Sequence, residues 1–491
     1  GLFMDNHHRS TAHLGSYSPR ILDWQVEGGA VQYYVIAGDG QYDKVIEEYT
    51  HLTGRQPMPP RWALGFIQSR YGYTNEQEAR NIVSTMKAQD FPLDVLILDL
   101  YWFEEMGDLD WDRSQWPTAE QMIADFKQEG VKTVNITETY FLQTSVNYPF
   151  LANNGYFGTT PQGTPYVLNN FWQGPAGLLD IYQKDAQDWM WDFYRDRMNE
   201  GVAGWWCDLG EPELHPWDMD HSLGDAKDVH NLYSLIWAEM LDSNYKQDFP
   251  DKRIFNLIRS GWAGMQRYGT FPWSGDVQRS WAGLDVQIPI MLGMSMSGHG
   301  YMHSDLGGFT GGGQDGELYT RWIQLGAFSP IMRAHGTGVP TEPIFYSEPY
   351  KSIVRDYIKL RYKFLPHNYS LAYKNHKSGL PLALPMDQFD PGNPALQNIN
   401  DQFYWGDNII VAPVLGDNQT NRSVVLPEGD WYDYWDNSFH QGGQTINVAA
   451  PLDKLPLFVK AGSFVAQSLL PLEHTEELQE ANSYSSVNEL L

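Results

Sequence analysis

Residues 201–213, Gly-Val-Ala-Gly-Trp-Trp-Cys-Asp-Leu-Gly-Glu-Pro-Glu, decide how this chain is read. The uncharged run Val202–Cys207 predicts a buried strand that delivers one carboxylate, Asp208, at its C-terminal end. Directly after it the chain turns through Gly210 and Pro212. In a parallel α/β barrel, active sites are built at the C-terminal ends of the strands. A second unit of this kind, Phe271-Pro272-Trp273-Ser274-Gly275-Asp276, places another aspartate 68 residues on (276 − 208). Two strand-end carboxylates with tryptophan nearby point to sugar chemistry.

Working outward, strands are expected at 62–68, 94–99, 133–137, 202–207, 254–258, 270–273, 300–303 and 330–333, with helices between most of them. Short apolar strands alternating with helices predict a (β/α)8 barrel over 46–384. A doubly wound sheet is disfavoured, because no glycine-rich phosphate or dinucleotide loop follows the first strand. The Asn-, Gly- and Pro-rich stretch 141–177 reads as an inserted loop on the catalytic face, and loops of that length are usually functional. Short strands with turn residues between them predict a small C-terminal β-sandwich over 385–468. Residues 469–491 read as a truncated or frayed tail, and 1–45 as β structure whose first residues form a loop arriving from something earlier.

Composition narrows the function. A chain of 491 residues exceeds what one core usually holds, so more than one domain is expected. The net charge of −28 argues against nucleic acid or an anionic membrane surface as partner. The single cysteine, Cys207, excludes an intrachain disulfide framework and a cysteine-rich zinc site. The stretch Val286–Met302 carries Gln287 and Pro289 together with Gly and Ser, so no membrane span is expected. No signal peptide is visible at Gly1, and an upstream segment is expected because the chain does not begin with Met. A periplasmic or secreted location is favoured over a cytoplasmic one, and oligomeric state is left open.

Polar residues at the strand ends form one constellation: Gln68 and Arg70; Asp99 with Tyr101 and Trp102; Glu138; Asp208; Arg259; Trp273 with Asp276; His303 with Asp305; Arg333 with His335. Charges that converge on one rim must be functional or mutually paired, because isolated burial of charge is too unfavourable. The pair most readily read as a loop-tying salt bridge is Asp305 with Arg333. Glycoside hydrolysis uses two carboxyl groups about 5–5.5 Å apart for retention, or about 6.5–9.5 Å apart for inversion. Strand ends sharing one barrel mouth are compatible with either spacing. Arg259 would keep Asp208 ionised as a nucleophile, and Trp273 with Trp281 would desolvate Asp276 as the acid/base. His299, His303 and His335 lack ligand spacing on one helix, so neither a metal nor another cofactor is expected.

These motifs resemble glycoside hydrolase family 31, the family of α-glucosidases, α-xylosidases and α-transglucosidases. Gly204–Glu211 (GWWCDLGE) is similar to its nucleophile motif, and Arg259–Gly264 with Trp273–Asp276 to its acid/base block. Ser304–Phe309 resembles its Asp-Ile-Gly-Gly-Phe element, and Arg321–Phe328 through Arg333–His335 completes the pattern. The resemblance implies a retaining mechanism on α-glycosides through a β-glycosyl–aspartate intermediate. It implies that Asp99, Arg259, Asp305 and His335 hold or frame the sugar, that Trp273 and Phe309 form its aromatic wall, and that residues 1–45 are the tail of a preceding N-terminal β-sandwich. Trp102, Trp206, Glu211 and Arg333 complete the expected substrate-binding set. The Leu-Gly-Glu-Pro-Glu version of the motif looks most like the bacterial oligosaccharide 4-α-glucosyltransferase branch, which makes α-1,4-linked malto-oligosaccharides the expected substrates. An exo-acting α-glucosidase or another α-glycosidase (for a xyloside or sulfoquinovoside) is the alternative. A non-catalytic sugar-binding protein is the more distant one.

Overall fold

In the computed structural model, which describes residues 1–479, a seven-stranded parallel sheet curls through the centre of the chain. Its order is Thr270–Pro272, Asn256–Ile258, Gly204–Cys207, Lys132–Thr137, Val95–Leu98, Phe66–Gln68 and Met332–Ala334. Single parallel bridges from Trp273 to His303 and from Leu306 to Ala334 close the circle. The fold is a (β/α)8 barrel.

Its eighth position departs from expectation. The strand expected over 300–303 is reduced to one bridge at His303. Side chains hold this segment instead, with Ser304 Oγ accepting from the Trp322 indole at 3.0 Å and Asp305 paired to Arg333. The first strand is also shorter than expected, because Arg61–Leu64 winds into a 3-10 turn before Phe66.

The remaining strands fall where their apolar runs place them. Val95–Leu98 is buried along its whole length, as a strand covered on both faces must be. The following helix layer forms by local rules. Helix Glu76–Ala88 starts where the Asn75 side chain accepts the Glu78 N–H, and it buries Ala79, Ile82, Val83 and Met86 on one stripe. The excursion at 141–177 is partly ordered as a hairpin, Tyr140–Leu142 against Ala176–Leu178, with a helix at Tyr148–Asn154.

After the barrel, helix Leu365–Ser378 leads into an antiparallel six-stranded sheet and a two-stranded antiparallel sheet, Asn421–Leu426 with Gln444–Ala449. They share a core that includes Leu384, Tyr404, Ile410, Val424, Leu426, Trp431 and Phe458. Arg321, buried on barrel helix Gly316–Ala327, donates to the carbonyls of Gln419, Ala450, Pro451 and Lys454 and fastens this unit to the barrel.

The tail corrects one expectation. Residues 469–479 do not fray but pack under the barrel, where Thr475 is fully buried and bonds Asp94 through both N–H and hydroxyl. The rest of the expected tail lies outside the described residues. At the other end, an antiparallel pair, Leu2–Met4 with Tyr33–Val35, and the hairpin Ser10–Leu14 with Leu22–Val26 between them in the chain leave Leu14, Leu22, Tyr33 and Val35 exposed. Among the described residues no helix is long and apolar enough to cross a membrane.

Candidate active site

The C-terminal strand ends enclose a cavity of about 270 Å³. Asp99, Glu138, Asp208, Arg259, Trp273, Asp276, Asp305 and His335 each reach it from the end of a different strand or bridge, except that Trp273 and Asp276 share one. Trp206, Phe309 and Tyr71 contribute aromatic faces, and Trp172 arrives from the excursion at 141–177. A larger cavity of about 710 Å³ lies at the opposite barrel end, between the tail and residues such as Phe91, Val131 and Leu360, and contains none of these groups.

Asp208 sits where the parallel pairing of Cys207 with Thr137 ends, its N–H donating to the Thr137 carbonyl at 3.1 Å. One carboxyl oxygen lies 3.7 Å from Arg259 Nε. Burial pushes this carboxyl up to about 6, opposed by Arg259 and the Leu209 N–H, so at neutral pH it is largely ionised. Arg259 is itself clamped. Its Nε and Nη2 donate to the two oxygens of Glu211 at 2.7 and 3.1 Å, and Nη2 also meets Glu213. Glu211 does not line the cavity. It positions Arg259, a correction to its expected contact with substrate.

Asp276 is different in kind. It is exposed on the rim, and its carboxyl is raised by partial burial against the pull of Arg259. A sugar filling the cavity would complete that desolvation and raise it further, as an acid/base requires. Trp273 stands beside it, but Trp281 does not line the cavity. Ser280 caps the next helix, Trp281–Asp285, and that helix carries Trp281 to a groove shared with Asp285, Asp401 and Arg422.

Behind the rim, Arg333 is fully buried and pairs with Asp305, stacking over Trp206 at 5.0 Å and Trp273 at 5.3 Å. The expected salt bridge therefore exists, while Asp305 also faces the cavity. Arg333 does not line it, so its expected direct contact with substrate is corrected to support of the aromatic wall. Burial raises Asp305 to about 7 against that guanidinium. His335 stacks on Phe309 and shares a hydrogen bond of 2.7 Å between Nδ1 and Ser69 Oγ. Burial and Arg333 hold it neutral. Asp99 lies 3.8 Å from His335 Nε2 and accepts the Leu100 N–H, and burial drives its carboxyl well above the usual range.

Trp102 is the clearest misplacement. In the 3-10 turn Leu100–Trp102, Tyr101 points outward and Trp102 inward. The indole N–H donates to the Ile136 carbonyl at 2.9 Å, and the ring packs in the core against Phe103 and Trp111. Tyr71, Trp172 and Glu213 line the cavity although they lie outside the expected site, and the sequence marks Glu138 only as one strand-end group. Trp172 carried one signal, its place in a long insertion after a barrel strand. Among the described residues no group of three or more His, Cys, Asp or Glu is arranged to hold a metal ion.

A carboxylate beside a guanidinium, a second, unpaired carboxyl, and aromatic walls in one small cavity suit nucleophilic displacement at a sugar carbon with proton transfer. Comparisons with known proteins agree with that chemistry. The family model described as the glycosyl hydrolases family 31 TIM-barrel domain matches residues 56–371, and the family 31 C-terminal domain matches residues 379–465. Alpha-glucosidase 2 of Bacillus thermoamyloliquefaciens is 35% identical over 98% of this chain and 63% of its own length. Alpha-xylosidase of Saccharolobus solfataricus is 31% identical over 94% of this chain and 63% of its own. A Flavobacterium johnsoniae dextranase complexed with glucose superposes with a TM-score of 0.93 at 32% identity, covering 96% of this chain and 60% of that one. The chain thus spans less than two thirds of each of these relatives.

Proposed function

The chain belongs to glycosyl hydrolase family 31, and from that premise we propose that it forms the catalytic part of a retaining α-glycoside-active enzyme. In this reading Asp208 attacks the anomeric carbon while Asp276 protonates the departing oxygen. Asp276 then removes a proton from the acceptor that releases the β-glycosyl–aspartate intermediate. The observation that carries the reading is the asymmetry of the two carboxyls in one cavity, Asp208 buried 3.7 Å from Arg259 and Asp276 exposed without a cation of its own. Asp99, His335 and Asp305 hold the sugar from beneath, with Trp206, Trp273 and Phe309 as its walls. No protein cofactor is required by these steps.

For the acceptor we favour a second sugar, which makes the enzyme a 4-α-glucosyltransferase on malto-oligosaccharides. Two features support this: the Leu209–Glu213 sequence and Trp172, which lines the cavity with half its surface exposed and offers an acceptor ring a face. The named relatives act as α-glucosidase, α-xylosidase and dextranase, so hydrolysis and other α-linkages are the competing outcomes. Incubation with maltotriose and, separately, isomaltotriose tests the choice, with products followed by chromatography and proton NMR. Early maltose and longer oligosaccharides with little free glucose are expected. Glucose released first as the α-anomer without longer products would make it a hydrolase, and faster turnover of isomaltotriose would move the linkage to α-1,6.

A further inference from the structure

Six carboxyl groups, Asp99, Glu138, Asp208, Glu213, Asp276 and Asp305, line the cavity against one guanidinium, Arg259. Most have a stated partner or exposure. Arg259 serves Asp208 and Glu213, Arg333 serves Asp305, Asp276 reaches solvent, and Asp99 accepts the Leu100 N–H. Glu138 is the exception. It is 3% exposed and, alone among the buried carboxyls of the six, makes no hydrogen bond or ion pair through either oxygen; its Oε2, like one oxygen each of Asp99, Asp208 and Asp305, is buried without a partner.

The backbone gives this side chain little freedom to turn away. On one side the Thr137 carbonyl accepts the Asp208 N–H, and on the other the Thr139 carbonyl accepts the Leu179 N–H at 2.9 Å. Glu138 is thereby fixed between Asp99 and Asp208, the two groups whose charges act on it most strongly. A buried polar group held in one place without a partner marks a position where a partner is recognised. That partner cannot be an anion, which would meet six carboxyl groups.

We propose that Glu138 is a specificity-determining residue whose carboxyl group hydrogen-bonds one hydroxyl of the pyranose seated against Asp208. The proposal rests on the glycosidase reading above and names a contact that reading did not use. Burial, together with Asp208 and Asp99, drives the Glu138 carboxyl well above its usual range, which favours its protonated form. A neutral carboxyl donates as well as accepts, which suits a hydroxyl and avoids placing another charge beside the nucleophile.

The test compares the intact chain with its E138A and E138Q variants on p-nitrophenyl α-D-glucopyranoside and its 2-, 3-, 4- and 6-deoxy analogues, with melting temperature recorded for each. E138A is expected to lose about 10- to 100-fold in kcat/KM, the effect of leaving one buried hydrogen bond unmade. E138Q is expected to recover much of that loss, since the amide also donates and accepts. One deoxy analogue should be penalised in the wild type and in E138Q but no longer in E138A. If every deoxy penalty is the same in E138A as in the wild type, the contact does not exist. If the wild type turns over no α-glucoside, the glycosidase reading fails instead. The same variants titrated with glucose and the deoxyglucoses in a calorimeter then decide the contact without turnover.

Discussion

Asp94 and Asp99 flank the same barrel strand, Val95–Leu98, and both are buried, at 0% and 1% exposure, yet only one of them is satisfied. At the bottom of the barrel one Asp94 oxygen accepts from the N–H and hydroxyl of Thr475, and the other from the Tyr362 hydroxyl at 2.6 Å. At the top, Asp99, Glu138, Asp208 and Asp305 each keep one buried carboxyl oxygen without a hydrogen bond. Burial raises Asp94 to about 7 and Asp305 to about 7 alike, so a perturbed carboxyl does not by itself tell the ends apart. What differs is satisfaction. The bottom spends its polar groups on holding the fold, whereas the rim holds them ready for a ligand.

That contrast fails if rim variants lose stability and keep activity, or if bottom variants do the reverse. The largest effect is expected from Asp208→Ala and Asp276→Ala. Each should lose at least the 10²- to 10⁴-fold typical of an acid–base group, with an unchanged melting temperature. Steady-state kinetics beside thermal melts checks both halves. Arg259→Gln should follow, with kcat/KM lower by about 10- to 100-fold. Since Arg259 pulls the Asp208 carboxyl down, its removal raises that carboxyl, and the acid limb of the pH profile should move to higher pH.

A smaller effect is expected at Trp172, whose ring is 53% exposed at the cavity. Trp172→Ala should raise the ratio of glucose released to glucose transferred by about threefold to tenfold, as loss of one stacking face would do. Maltotriose product ratios read this directly. Least of all should activity respond to Thr475→Val, which ought to lower stability by about 1–3 kcal/mol through the lost bond to Asp94. The folded Asp94 carboxyl, near 7, lies above its unfolded value of 3.8. The folded state therefore holds this proton more tightly, and stability from the site falls as pH rises from about 4 to 7. The lost hydroxyl favoured the ionised form, so the penalty in the variant should grow across that window, as denaturant titrations at several pH values would show.

The same contrast explains what the sequence could reveal. Strand-end carboxylates such as Asp99, Asp208 and Asp276 were readable because an apolar run stops beside them, and that stop marks the rim. Trp102 was not, because a 3-10 turn sends Tyr101 and Trp102 to opposite sides, and no periodicity announces such a turn. Trp281 lies close to Asp276 in the sequence, but the Ser280 cap starts a helix that carries it away. Helix Leu365–Ser378 begins two residues after Tyr350–Lys363 ends, with Pro366 at its first turn, so the two helical patterns merge in the sequence. Trp172 and Glu138 needed three dimensions. One reaches the cavity from the far side of an insertion, and the other gains its meaning only from having no partner. The barrel closure is half legible: a strand is expected over 300–303, but nothing in the residues announces that the pairing there shrinks to single bridges at His303 and Leu306.

The central claim is that Asp208 becomes covalently attached to the sugar. Incubation with 5-fluoro-α-D-glucopyranosyl fluoride, followed by proteolysis and mass spectrometry, tests it most directly. The slow fluorosugar should accumulate as an adduct on the peptide containing Asp208, and inactivation should be slowed by maltose. An adduct on another carboxylate such as Glu138, or release of the β-anomer from an α-glucoside with no adduct formed, would contradict the account.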